Sequence, residues 1–160
     1  MPDSKLQTLV ERIIARMQLI QVSNGYETDL GDNVEEWLTH LQQEDVPASG
    51  LISVCDLVAV AEPPRDGRSN QRDTGWRTPI QIRFWFPRAM LTAENVRKGI
   101  QDINRAIRQD DRWSANGIGL VITSVPLRQG PLIPEDSFEM TGGVVEFEVV
   151  EIRRKFNSEE

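Results

Sequence analysis

Apolar residues recur at spacings of three and four through Leu6, Leu9, Val10, Ile13, Ile14, Met17 and Ile20, which predicts an amphipathic helix over residues 4–20. Ser4 followed by Gln7 has capping-box spacing, with Asp3 as an alternative cap, and Glu11, Arg12 and Arg16 fall on the polar side. Ser23-Asn24-Gly25 is turn chemistry, residues 26–29 read as a short extended piece, and Leu30-Gly31-Asp32-Asn33 turns the chain again. Residues 34–43 are ambiguous. Trp37, Leu38 and Leu41 could line a helical face, but the run is short and Pro47-Ala48-Ser49-Gly50 ends it.

Residues 51–61 are nearly continuously apolar, as a central strand would be. Residues 62–74 then hold no apolar side chain beyond Pro63 and Pro64, the composition of a long loop. The cleanest alternation lies over 75–86. Trp76, Thr78, Ile80, Ile82, Phe84 and Phe86 point one way, and Arg77, Gln81 and Arg83 the other. Pro79 interrupts this strand and places its first half at an edge or flaring from the sheet.

A second helix is predicted over 93–109. Thr92 opens it, Val96, Ile100, Ile103 and Ile107 form its apolar stripe, and Asp110-Asp111-Arg112-Trp113 stops it. Gly99 and Ala106 lie near the stripe, and a glycine there costs about 1 kcal/mol relative to alanine, so close packing on a sheet is its compensation. Two strands follow, 118–125 and 143–152, joined by a long connection over 126–141 that contains Pro131 and Pro134. Together these elements predict an α+β fold: a mostly antiparallel sheet, two helices packed on one face, and a long β-hairpin loop. It forms one domain over residues 1–152, followed by a polar tail over 153–160.

Composition narrows the function classes. No apolar run approaches the roughly 18 residues of a membrane span, and the N-terminus has no signal-peptide pattern, which points to a cytoplasmic protein. A net charge of −7 argues against nucleic-acid affinity driven by overall charge. Cys55, the only cysteine, sits in an apolar run and reads as a small buried hydrophobe. His40 is the only histidine, so no multi-histidine metal site exists, and the sequence has neither a phosphate-binding Gly-rich loop nor a nucleophile elbow.

Clustered carboxylates are the remaining chemistry. Asp102, Asp110 and Asp111 are similar in placement to the acidic residues that hold magnesium in small Holliday-junction resolvases of prophage origin. Asp102 and Asp110, however, are about two helical turns or roughly 12 Å apart, too far to share an ion. No catalytic residue, metal ligand or cofactor is assigned on this basis. Glu146, Glu148 and Glu151 form a second group. Glu146 and Glu148 alternate away from Val145, Phe147 and Val149, as a solvated strand face or as an acidic surface that keeps passing DNA from sticking. Arg65, Arg68 and Arg72, with Trp76 beside them, are either a solvated loop or a contact surface for an acidic partner.

The first helix running into Asn24-Gly25-Tyr26-Glu27-Thr28-Asp29-Leu30-Gly31, then Asp102-Ile103-Asn104-Arg105-Ala106-Ile107 followed by Asp110-Asp111-Arg112-Trp113, and then a closing pair of strands, occur in an order that resembles the tail-terminator and tail-completion proteins of long-tailed bacteriophages. Residues 62–74 and the Trp37 segment match no part of that pattern. The resemblance implies a non-enzymatic α+β subunit without cofactors that forms a ring, typically six-fold, on the end of the tail tube. Such a ring stops tube polymerisation and offers the filled head a docking surface. Its partners would be further copies of itself, the tail tube protein and head–tail connector proteins, with DNA passing through without sequence-specific binding. Its place would be the tail or neck of the virion, and the host cytoplasm during assembly. A neighbouring connector role in the neck uses the same kind of subunit.

Overall fold

The computed structural model describes residues 5–62, 73–108, 120–135 and 139–154. Its elements are α1 (Lys5–Met17), β1 (Val34–Glu36), β2 (Leu51–Asp56), β3 (Val60–Glu62), β4 (Asp73–Trp85), α2 (Ala93–Arg108), β5 (Leu120–Leu132) and β6 (Gly142–Arg154). The strands form one six-stranded sheet in the order β1-β2-β4-β6-β5, with β3 also paired to β4. Every pairing is antiparallel except β1 with β2. The expected α+β class is the one observed.

Both helices cover the same face. Leu9, Ile13 and Met17 of α1 and Val96, Ile103, Ala106 and Ile107 of α2 share one core with Ile52, Val54, Ile80, Ile82, Phe84, Val145, Phe147 and Val149 of the sheet. The period of 3.6 on the helices thus meets the period of two on the strands. Leu6, on the same stripe in the first turn of α1, is 41% exposed. The Thr92 hydroxyl caps α2 by accepting from the Asn95 N–H at 3.1 Å. Thr92→Ala should therefore lower stability by about 1 kcal/mol in urea denaturation.

Several expectations are corrected. Residues 26–29 are not a strand, because their backbone is held by α2. Of the ambiguous stretch, residues 34–36 form the parallel strand β1, and Gln43 opens a short 3-10 helix, Gln43–Asp45. Leu38 and Leu41 make no helix. They pack with Val46 onto Leu51 and Trp85 on the sheet face opposite the helices. Pro79 lies in a central strand, not at an edge. Between Asp56↔Ile80 and Val60↔Arg77 the registers leave three residues, 57–59, opposite two, 78–79. The missing proline donor thus falls where the neighbouring strand already breaks into β2 and β3.

The expected connection over 126–141 is mostly strand. β5 runs on through Pro126 and Pro131 to Leu132, with an irregularity between Pro126 and Arg128. An edge strand needs donors along one side only, so it tolerates prolines that a central strand would not. β3 and β4 pair as far as Glu62↔Gly75, and residues 63–72, on which the expected long hairpin loop falls, lie outside the described residues.

Candidate functional site

Asp102 is an acid on the buried stripe of α2, between Gly99 and Ala106, and is 1% exposed. A carboxylate there needs donors, and a single turn supplies them. The Glu27 N–H donates to both oxygens at 3.1 Å, the Thr28 N–H donates at 2.8 Å and the Thr28 hydroxyl at 2.7 Å. One turn further along the helix, Arg105 donates to the Gly25 carbonyl at 2.6 Å and stacks its guanidinium over the Tyr26 ring at 4.7 Å from the centroid. Asp29 closes the same turn by accepting from the Val22 N–H at 2.8 Å. Residues 25–29 and α2 are therefore one unit, tied by charge-assisted hydrogen bonds.

This placement bears on the metal reading. Both Asp102 oxygens are occupied by protein donors, and Asp110 and Asp111 lie outside the described residues. Among the described residues no group of three or more His, Cys, Asp or Glu could hold a metal ion. His40 is exposed beside Gln42, and Cys55 is buried with its sulfur 3.7 Å from the Ser53 hydroxyl.

Glu146 and Glu148 do project from the face opposite the helices, but each meets an arginine. Glu146 accepts from Gln81 at 3.2 Å and from Arg128 at 3.3 Å, and its side chain is 13% exposed. Glu148 lies 3.8 Å from Arg77 and is 19% exposed. Arg83 extends the row, donating to Gln81 at 2.6 Å and to the Thr39 carbonyl at 2.7 Å. Among the described residues the face carries a cross-strand network that sets Glu146 and Glu148 beside arginines. Trp76 is 45% exposed on β4, opposite Ala61 of β3; Arg65, Arg68 and Arg72 lie outside the described residues.

Two surfaces escaped the motif-based reading. The first is acidic: residues 18–64 contain nine Asp and Glu and no Lys or Arg. Asp32, Glu35 and Glu36 are exposed at the β1 edge of the sheet, and Glu44 and Asp45 are exposed in the crossover that follows. The second is basic. Arg97, Arg105 and Arg108 are exposed on α2, which packs over β6 and β5 towards the opposite edge. Charge segregation along the chain was the signal, hidden by a net value that sums both surfaces.

Each edge also carries an apolar residue. Trp37, just past β1, is 50% exposed and has a φ of 61°, an outlier for an aromatic residue. Its N–H donates to the Val54 carbonyl at 3.0 Å and its indole N–H to Asp56 at 2.8 Å, which hold it there. On β5, Val125 and Leu127 are 44% and 46% exposed. Among the described residues no helix is long and apolar enough to cross a membrane. Compared with models of known protein families and with curated proteins, the chain gives no match.

Proposed function

We propose that this chain is a structural subunit of a long-tailed phage tail, forming a ring, six-fold in the simplest case, that caps the tail tube and presents a head-docking surface. The observation that carries the reading is the contact between Asp102 and Arg105 of α2 and residues 25–28. The two sequence segments that resemble tail terminators are thereby one packed feature, not two short strings that match independently. The sheet adds support, since among the described residues β1 and β5 each pair on one side only and lie at opposite ends of the strand order. Unequal edges of this kind suit a head-to-tail contact that closes into a ring.

Light scattering on the size-fractionated protein, negative-stain imaging, and addition of the protein to growing tail tubes test the proposal. Rings, or tubes that stop growing with a cap at one end, are expected. Monomers at every concentration together with tubes that elongate unhindered would overturn it. Magnesium-dependent cleavage of branched DNA in the same preparation would favour the nuclease alternative.

A further inference from the structure

We propose that the β1 edge of one copy, through Trp37, Glu35 and Glu36, docks on the α2–β5 edge of the next, through Arg97, Arg108 and Leu127. The inference rests on the ring reading and assigns the two surfaces that would meet in it. Its basis is the segregation of charge. Glu35 and Glu36 are exposed at one end of the sheet, in a stretch of chain devoid of Lys and Arg. Arg97 and Arg108 are exposed at the other, and among the described residues neither has an ion-pair partner.

The receiving surface is continuous. A cleft of about 400 Å³ brings Arg108 of α2 together with Leu127 and Gln129 of β5. It adjoins a shallower cleft of about 760 Å³ lined by Arg97, Gln101, Arg108 and Gln129. The floor is pinned, because Asn104 donates to both the Ile100 carbonyl and the Gln129 side chain. An arginine-rimmed, part-apolar cleft fits a tryptophan flanked by carboxylates, since Trp and Arg are the residue types that dominate interface energetics. The strained backbone at Trp37 has a purpose in this arrangement: it holds the indole at the edge, beside the two glutamates.

The two surfaces lie at opposite ends of the sheet, so one molecule cannot satisfy both itself, and each added copy leaves one surface of each kind open until a ring closes. Opposite charge would steer the encounter and exclude the like-edge pairings, and added salt would weaken it.

Reciprocal charge reversal tests the pairing. One variant carries Glu35→Lys and Glu36→Lys, the other Arg97→Glu and Arg108→Glu; all four positions are exposed, and circular dichroism checks that each variant folds. In light scattering at low salt, each variant alone should self-associate about tenfold or more weakly than the wild type. Their equimolar mixture should recover assembly, because every contact in it again joins opposite charges. Assembly of either variant at wild-type strength, or failure of the mixture to recover, overturns the pairing while leaving wild-type rings intact as support for the broader reading. A wild type that never self-associates overturns the pairing as well, and the ring reading is then decided separately by the imaging of capped tubes.

Discussion

Asp102→Ala should lower the stability of the chain by about 3–5 kcal/mol, a loss comparable to breaking a buried ionic contact from one side. The substitution removes the acceptor for the Glu27 N–H, the Thr28 N–H and the Thr28 hydroxyl. Thr28 is itself only 7% exposed, so its two donors would be stranded away from water. Total stabilities of domains this size are about 5–15 kcal/mol, so the variant should unfold at a much lower urea concentration. Asp102→Asn should fall between, since its amide nitrogen would face N–H groups that need an acceptor. In a double-mutant cycle with Thr28→Val the two positions should couple by about 1–2 kcal/mol. A carboxylate kept for metal chemistry would behave differently, and its removal would leave stability unchanged or improved. An Asp102→Ala midpoint equal to the wild type's would therefore remove the clamp as a structural explanation.

How far the sequence disclosed this arrangement depends on the range of the forces involved. The α2 stripe and the alternation over residues 75–86 are local periodicities; the first reappears as the buried face of α2, and the second is buried from Thr78 to Phe86, while Trp76 is 45% exposed. β1 was not legible as a strand. Val34-Glu35-Glu36 has one apolar residue, and only its parallel pairing to Ile52, Ser53 and Val54 makes it an element. The far half of β5 was misread for the opposite reason. Pro126 and Pro131 are strong local loop signals, overridden by a partner strand that pairs along one side only.

The site followed the same rule. Asp102 interrupting an apolar helical face was a readable sign of a buried acceptor, but its donors lie 74 and 75 residues away and no spacing rule points to them. The resemblance named both segments without saying that they touch. Glu146 and Glu148 were placed on the correct face by alternation, while their arginine partners come from β5 and β4, which only the strand order reveals.

Gly99→Ala, normally a stabilising exchange within a helix, should instead destabilise this protein by about 1–2 kcal/mol. Added at Gly99, a Cβ would lie 2.6 Å from Cε2 and 2.9 Å from Cζ of Phe84, and 3.1 Å from Cδ1 of Leu30. The Phe84 ring cannot simply retreat. It is fully buried, it stands edge-on to Phe86 with centroids 5.8 Å apart, and its Cζ approaches Gly143 so closely that a Cβ there would lie 2.3 Å away. Relief therefore requires α2 to lift from the sheet, against the Asp102 contacts that tie the same helix to residues 27–28. Helix propensity favours alanine by about 1 kcal/mol, whereas overpacking a dense core costs about 1–3 kcal/mol, and the pinned ring puts this site at the upper end. The balance should reverse when the obstacle is removed. In a Phe84→Leu background, itself less stable than the wild type, Gly99→Ala should be neutral or stabilising in urea denaturation. If Gly99→Ala stabilised the wild type by the full propensity difference, α2 would not be seated on the sheet through this glycine. Sign inversion between the two backgrounds would locate the cost in the contact with Phe84 and not in the helix.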